Sequence, residues 1–445
     1  MNKQTTPNAA MDRHPASEPD FMPKDKLRAL QSSRLQEVVR RVYENVAMYK
    51  QRMDELGVTP ADIRGIDDIA KLPMTIKTDL RDTYPFGLFA SPMRDVVRLH
   101  ASSGTTGKPI VVAYTKSDLE VWTNGVMRAL LCFGVHAGDI VQNAYGYGLF
   151  TGGLGLHQGA EALGATVLPI SGGNTDRQLM LMKDFGVTVV SCTPSYFLHI
   201  LDRASEIGVD LRELPVRIGC FGAEPWTDAM RRRIEEVAGI QAFDIYGLTE
   251  ICGPGVGGEC SCHDGLHIFE DHFYPEIIDP DTLEPLPDGT QGELVFTTLT
   301  KQGMPMLRYR TRDITSIAAE PCACGRTVRR IHRISHRSDD MFIIRGVNVF
   351  PSQIEAALLA AEGTLPHYQI ILTRNKGLDQ IEVRVEVTAD VLSDRVGAME
   401  NLQQKLVHEI AHIIGIRVLV RLVEPHTLQR SEGKAKRVLD QRNLS

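Results

Sequence analysis

The run Ser102-Ser103-Gly104-Thr105-Thr106-Gly107-Lys108-Pro109 sets hydroxyl side chains and glycines ahead of a lysine. Glycine lets a backbone turn sharply and bring its N–H groups against anionic oxygens, while hydroxyls and an ammonium add donors and charge. This is the composition of a phosphate-binding loop. Only Thr105 and Thr106 separate Gly104 from Gly107-Lys108, and Pro109 stands where the Walker pattern has Ser or Thr, so the loop is of another kind. Further clusters follow in order: Gly222-Ala223-Glu224-Pro225, Asp244-Ile245-Tyr246-Gly247-Leu248-Thr249-Glu250, Tyr309-Arg310-Thr311-Arg312-Asp313, Arg337-Ser338-Asp339-Asp340 and Gly433-Lys434.

A second kind of chemistry is written in Cys260-Ser261-Cys262-His263-Asp264-Gly265-Leu266-His267 and, further on, Cys322-Ala323-Cys324-Gly325. Close-spaced Cys and His groups on two separate segments resemble the halves of a structural zinc site, which needs four tetrahedral ligands. Cys260, His267, Cys322 and Cys324 are the first choice, with Cys262 and His263 as substitutes. Free buried thiols are the competing reading, since free Cys behaves as a small hydrophobe. Cys132, Cys192 and Cys220 lie among apolar neighbours and read as core.

An α/β chain has to position these groups. Strand-like runs at Ile140 to Asn143, Thr166 to Ile170, Val187 to Ser191, Ile218 to Gly222 and Ala242 to Tyr246 alternate with helical ones. That alternation implies parallel βαβ units, whose ligands bind at the carboxyl ends of the strands. The phosphate loop and the turns at Gly222–Pro225 and Tyr246–Glu250 are then expected to face one crevice. Apolar residues at Leu27, Leu30, Leu35, Val38, Val39, Val42 and Tyr43 predict a helix over much of 24–53. Residues 1–22 carry Pro7, Pro15 and Pro19 with few large apolar groups, and read as a mobile N-terminal arm. Texture breaks after Ile334. From there a helix at Pro351 and strands at Gln369 to Thr373 and Ile381 to Val387 predict a small mobile α+β domain over 337–445, beside a large domain over 23–336.

Composition agrees with a chain of more than one domain: 445 residues exceed what one core usually serves. At 43% hydrophobic, 24% charged and net −7, the chain lacks the basic excess of a nucleic-acid binder. It has no apolar run long enough to span a bilayer and no basic-then-apolar leader, so no membrane partner and a cytoplasmic location are expected. Under that reading its eight cysteines are not a disulfide framework.

From about residue 25 to the C-terminus, the ordered motifs resemble the adenylate-forming superfamily of acyl- and aryl-CoA ligases, luciferases and peptide-synthetase adenylation domains. The run Asn143-Ala144-Tyr145-Gly146-Tyr147-Gly148-Leu149-Phe150-Thr151-Gly152-Gly153, with Arg430-Ser431-Glu432-Gly433-Lys434-Ala435-Lys436-Arg437, resembles most the phenylacetate-CoA ligase branch. The resemblance implies two half-reactions: a carboxylate attacks the α-phosphorus of ATP, then the CoA thiolate attacks the acyl-adenylate. Such transfers demand positioning and charge neutralisation. Ser102 to Lys108 would hold the β- and γ-phosphates, Thr249 the α-phosphate, and Glu250 a Mg²⁺ ion, which favours one or two carboxylates completed by phosphate oxygens. Gly222, Ala223 and Glu224 would border the adenine, with Asp244, Ile245, Tyr246 and Gly247 opposite. Asp313 would accept the ribose hydroxyls, with Arg337 nearby, although many relatives have glycine where Arg312 precedes it. Lys434 would stabilise charge on the reacting carboxylate and α-phosphate, with Lys436 the runner-up. Asp339 would be the hinge, and Arg345-Gly346-Val347-Asn348 would meet CoA. Tyr145, Tyr147, Phe150, Gly152 and Gly222 would line a pocket for a flat ring.

These expectations add up to an AMP-forming ligase of phenylacetate and CoA, often a homodimer in the family. Other aromatic acids (benzoate, a hydroxyphenylacetate, indoleacetate) fit nearly as well, because one methylene changes binding by only about 1–3 kcal/mol. An adenylyltransferase of the coenzyme F420 type is the next alternative. A regulatory nucleotide binder is disfavoured by intact Glu250, Asp313 and Lys434.

Overall fold

The computed structural model describes residues 14–102, 109–338, 342–344, 347–375, 378–393, 396–429 and 437–442. The runs Ile140–Asn143, Thr166–Leu168, Val189–Cys192, Ile218–Gly222 and Gln241–Leu248 are all strands, and all pair in parallel. Their apolar side chains are continuous rather than alternating because helices cover both faces of such a sheet. The helices between them are Gly152–Leu163, Thr175–Asp184, Pro194–Glu206 and Asp228–Ala238. Caps set their starts: the Thr193 and Thr227 hydroxyls accept from the Tyr196 and Met230 N–H groups.

At Gln241–Leu248 the sheet changes character. Beyond it, Gly253–Glu259, Leu266–Ile268 and Arg330–Ile331 add on antiparallel, making eight strands in all. The helix Lys116–Cys132 lies directly on this antiparallel part, and only glycine permits the approach: a Cβ on Gly125 would stand 2.5 Å from the Gly255 carbonyl oxygen. A separate antiparallel sheet is built from Phe273–Ile278, Gly292–Thr298, Tyr309–Thr315 and His336–Arg337. Register pairs Asp313 with Arg337.

Towards the C-terminus, Thr364–Asn375 and Leu378–Val387 pair antiparallel, with Leu419–Val423 and Val438–Asp440 on either side, and helices Pro351–Leu359 and Val396–Ile414 cover the sheet. These elements enclose a core of their own around Ile370, Val383, Leu406 and Ile410. Among the described residues, no helix is long and apolar enough to cross a membrane.

Two expectations need correcting. The helix expected over 24–53 is two, Lys24–Asn45 and Ala47–Glu55, because Val46 is extended between them. The described part of the expected arm, residues 14–22, is docked rather than loose. Its short helix Pro15–Phe21 buries Asp20 completely, where the carboxylate accepts from Arg128 Nε at 3.0 Å and from Arg326 Nε at 3.3 Å. Asp271 completes the cluster, 2.9 Å from Arg128 Nη1. The segment is polar because its partners are buried charges.

Candidate active site

The seam strand Gln241–Leu248 forms one wall of a cleft that is open to solvent at its mouth. Ala223, Glu224, Asp244, Ile245, Tyr246, Gly247, Glu250, Asp313 and Arg337 all line it, so the structure brings together residues that are widely separated in sequence. Each arrives by a different element: Ala223 and Glu224 follow a parallel strand, Asp313 lies in the second sheet, and Arg337 pairs beside it.

Asp313 is mostly buried, and its Oδ2 accepts the Tyr246 hydroxyl at 2.6 Å. Arg337 Nε lies 3.9 Å from Oδ1. Burial first, then the Asp313 charge, pushes the Tyr246 phenol well above its usual range, so it stays a donor. Arg312 adopts φ +68°, a left-handed backbone that glycine takes without strain, and its guanidinium lies 3.5 Å from Glu293. Ala223 is likewise left-handed at φ +69°, a cost that tends to persist where a site requires it. The Glu224 carboxylate accepts from the Ser195 N–H at 2.8 Å, in the first turn of Pro194–Glu206. Asp244 is raised by burial, with the neighbouring Glu259 charge adding to the effect, while its own N–H donates to Glu259 at 2.8 Å.

Thr249 and Glu250 are both buried at the end of the seam strand, and the Thr249 hydroxyl lies 3.4 Å from that of Thr151. Burial first, then the Glu250 charge, pushes the Tyr309 phenol well above its usual range, and Lys77 Nζ approaches Glu250 Oε1 to 3.9 Å. Sequence reasoning missed Lys77: a lone lysine opening a six-residue helix carries no local signal. Ser102 closes the neck of the glycine-rich loop, donating its N–H to the Ile110 carbonyl at 3.0 Å and accepting the Ile110 N–H on Oγ at 3.2 Å. Ser103, Gly104, Thr105, Thr106, Gly107, Lys108, Asp339, Arg345, Gly346 and Lys434 lie outside the described residues. Val347 is exposed and, with the backbone of Asn348, belongs to a strand paired with Phe342–Ile344.

The residues expected to form a ring pocket do not line this cleft; Thr151 in their loop meets Thr249, which precedes the cleft residue Glu250. Asn143 braces their loop, donating Nδ2 to the Tyr147 hydroxyl and to the Gly153 carbonyl, each at 2.8 Å. Tyr145 is buried, whereas Phe150 is 41% exposed and Tyr147 hydrogen-bonds His157 at 3.1 Å. A Cβ on Gly152 would meet the Phe150 ring at 2.5 Å, and one on Gly222 the Ile245 carbonyl oxygen at 2.5 Å.

On the antiparallel flank, the ligand atoms of Cys260, His267, Cys322 and Cys324 all lie within 4.8 Å of one another. Cys260 Sγ is 3.6 Å from Cys322 Sγ, and Cys324 Sγ is 3.3 Å from His267 Nε2. Three thiols and one imidazole in that volume suit the donor set and size of a tetrahedral zinc site. Cys262 is exposed and His263 turns instead to Arg231 and Glu259, so neither substitute is needed.

Known proteins fit this geometry. Residues 41–300 match the model of AMP-binding enzymes, and residues 346–442 that of the AMP-binding enzyme C-terminal domain. The phenylacetate-coenzyme A ligase of Thermus thermophilus is 52% identical over 437 residues, covering 95% of this chain and 98% of that protein. The phenylacetate-coenzyme A ligase of Escherichia coli is 50% identical, covering 94% of this chain and 96% of that protein. Among solved structures, 2-hydroxyisobutyryl-CoA ligase in the postadenylation state with R3-HIB-AMP superposes with a TM-score of 0.90 at 29% identity, covering 96% of this chain and 92% of that one. The same ligase in the thioesterification state with 2-HIB-AMP and CoA gives 0.71 at 30% identity and equal coverage. The chain belongs to the AMP-binding enzymes of the adenylate-forming superfamily. Within them it is a member of the phenylacetate-CoA ligase family, AMP-forming acid–thiol ligases.

Proposed function

We propose that the chain joins phenylacetate to CoA at the expense of ATP, through a phenylacetyl-adenylate, releasing pyrophosphate and then AMP. The observation that carries this reading is the cleft itself: the Tyr246–Asp313–Arg337 group lines the same cleft as Glu250, near a loop rich in aromatic side chains.

Asp313 accepts the ribose hydroxyls, which a carboxylate suits because it offers several lone pairs beyond the one given to Tyr246. Ala223, Glu224, Asp244, Ile245 and Gly247 flank the adenine. The loop from Ser102 to Lys108 grips the outgoing pyrophosphate, and Thr249 orients the α-phosphate. Glu250 is suited to hold Mg²⁺, which when bound neutralises phosphate charge; Lys77 adds a fixed cation beside it. The ring of the acid sits among Tyr145, Tyr147 and Phe150, with Gly152 and Gly222 leaving room. Lys434 stabilises the charge that builds between carboxylate and α-phosphorus. The large and small domains, 23–336 and 337–445, meet at a hinge near Asp339, and the Arg345–Asn348 hairpin receives CoA. The Cys260, His267, Cys322 and Cys324 cluster holds a structural zinc ion. A cytoplasmic homodimer completes the reading.

The test is AMP and pyrophosphate release with ATP, CoA and a panel of aromatic and aliphatic acids, with mass detection of the thioester. Preferential formation of phenylacetyl-CoA supports the proposal. Pyrophosphate without any thioester would move the acceptor away from CoA, and no turnover on any acid would overturn it.

A further inference from the structure

Two polar contacts tie the C-terminal part to one helix of the large domain. His367, in the strand Thr364–Asn375, meets Asp202 of helix Pro194–Glu206 through a 2.9 Å hydrogen bond, with side chains only 11% and 19% exposed. Asp202 also faces Arg233 of the neighbouring helix Asp228–Ala238 at 3.5 Å. One turn further along the first helix, Glu206 meets His426 at 2.8 Å. Leu359 packs against the apolar cluster beneath the same helices.

This contact is tied mechanically to the segment that bears Lys434. The strand holding His367 pairs in parallel with Val438–Asp440, Ile370 opposite Val438, and the Ile370 N–H donates to the Arg437 carbonyl at 2.7 Å. Arg437 is itself clamped by Glu355 at 2.8 Å and lies over the Tyr368 ring at 4.4 Å. A path of paired strand thus runs from Asp202 through His367 to Arg437, three residues after Lys434.

The arrangement matters because the chain superposes far better on the postadenylation form of 2-hydroxyisobutyryl-CoA ligase than on its thioesterification form, at equal coverage. At equal coverage and nearly equal identity, a lower score means the parts are placed differently. We infer that the Asp202–His367 contact is a positioning device that favours the adenylation arrangement and so seats the Lys434 segment for the first half-reaction only. The inference rests on the two-step ligase reading above. Neither residue touches substrate; the pair acts through the small domain.

Asp202→Asn and His367→Gln are to be compared with the wild type in the two half-reactions measured separately: phenylacetate-dependent ATP–pyrophosphate exchange, and thioester formation from supplied phenylacetyl-adenylate and CoA. His367→Gln leaves Arg233 and its partner untouched, which guards against a local effect inside the large domain. A charge-assisted hydrogen bond of this burial should bias the arrangement by about tenfold. Both variants should therefore lose pyrophosphate exchange by about that factor while thioester formation is unchanged or faster. Equal loss in both half-reactions, or no change in either, would overturn the inference. If the wild type itself shows no phenylacetate-dependent exchange, it is the ligase reading that fails.

Discussion

Asp313→Asn isolates the charge of one carboxylate from its shape. In the structure Asp313 is 8% exposed, gives one oxygen to the Tyr246 hydroxyl at 2.6 Å and faces Arg337 at 3.9 Å. The amide can turn its oxygen to Tyr246, so the buried phenol keeps an acceptor and the fold should survive. What changes is the face left for the ribose: an NH₂ donor replaces a charged acceptor. Hydrogen bonds to a charged group contribute about 1.5–3 kcal/mol against about 1 kcal/mol for neutral ones, so weakening the pair to the ribose should cost about 2–3 kcal/mol. That is a rise of about 30- to 150-fold in the Kd for ATP. Titration calorimetry with ATP, 2′-deoxy-ATP and 3′-deoxy-ATP checks it directly. The wild type should discriminate against both deoxy nucleotides, and the variant should lose most of that discrimination. A folded Asp313→Asn protein that binds ATP within threefold of wild type, or still discriminates fully, would refute the ribose assignment.

Asp20→Ala strands Arg128 and Arg326 in the interior with Asp271 as their remaining described acid, and should cost about 3 kcal/mol in urea unfolding, because removing one partner of a buried ion cluster leaves uncompensated charge; pairing it with Arg128→Met should recover most of the loss. Cys324→Ser should abolish tight zinc binding, read by elemental analysis of the purified protein, and a strong chelator should lower the melting temperature of the wild type but not of the variant. Burial pushes His272 down to about 4. The unfolded chain then takes up that proton first, so this residue makes stability fall as pH drops from about 6.5 to 4, and His272→Asn should flatten that part of a pH–stability curve.

The parallel strands were legible because Val189–Cys192 and Ile218–Gly222 are buried on both faces and mostly apolar, strand-like runs that the spacing reveals. The cleft was legible because Glu250 and Asp313 sit in motifs whose order resembles that of the adenylate-forming superfamily, and Cys260, His267, Cys322 and Cys324 announced themselves by donor chemistry. What stayed hidden depends on partners far away in sequence. Asp20 reads as a solvated acid until Arg128 and Arg326 are seen around it, and Lys77 reads as a surface lysine until Glu250 appears beside it. The same holds for His367, whose partner Asp202 lies 165 residues away. The break at Val46 escaped because apolar spacing continues across it while the backbone does not.

The loop around Asn143 has a consequence for how such an enzyme could diversify. Asn143 fastens it from within, to Tyr147 and Gly153 and to the Tyr145 N–H at 3.3 Å, while Ser191 and the Ala101 N–H anchor it to the strands on either side. The groups that line the cleft, by contrast, come from segments scattered along the chain. The residues proposed to read the acid are therefore mostly one contiguous segment, whereas those proposed to read ATP are not. Exchanging residues 143–153 between relatives would transplant most of one specificity while leaving the other inherited intact, so acid preference in this architecture is free to drift by local replacement on a nucleotide scaffold that is not.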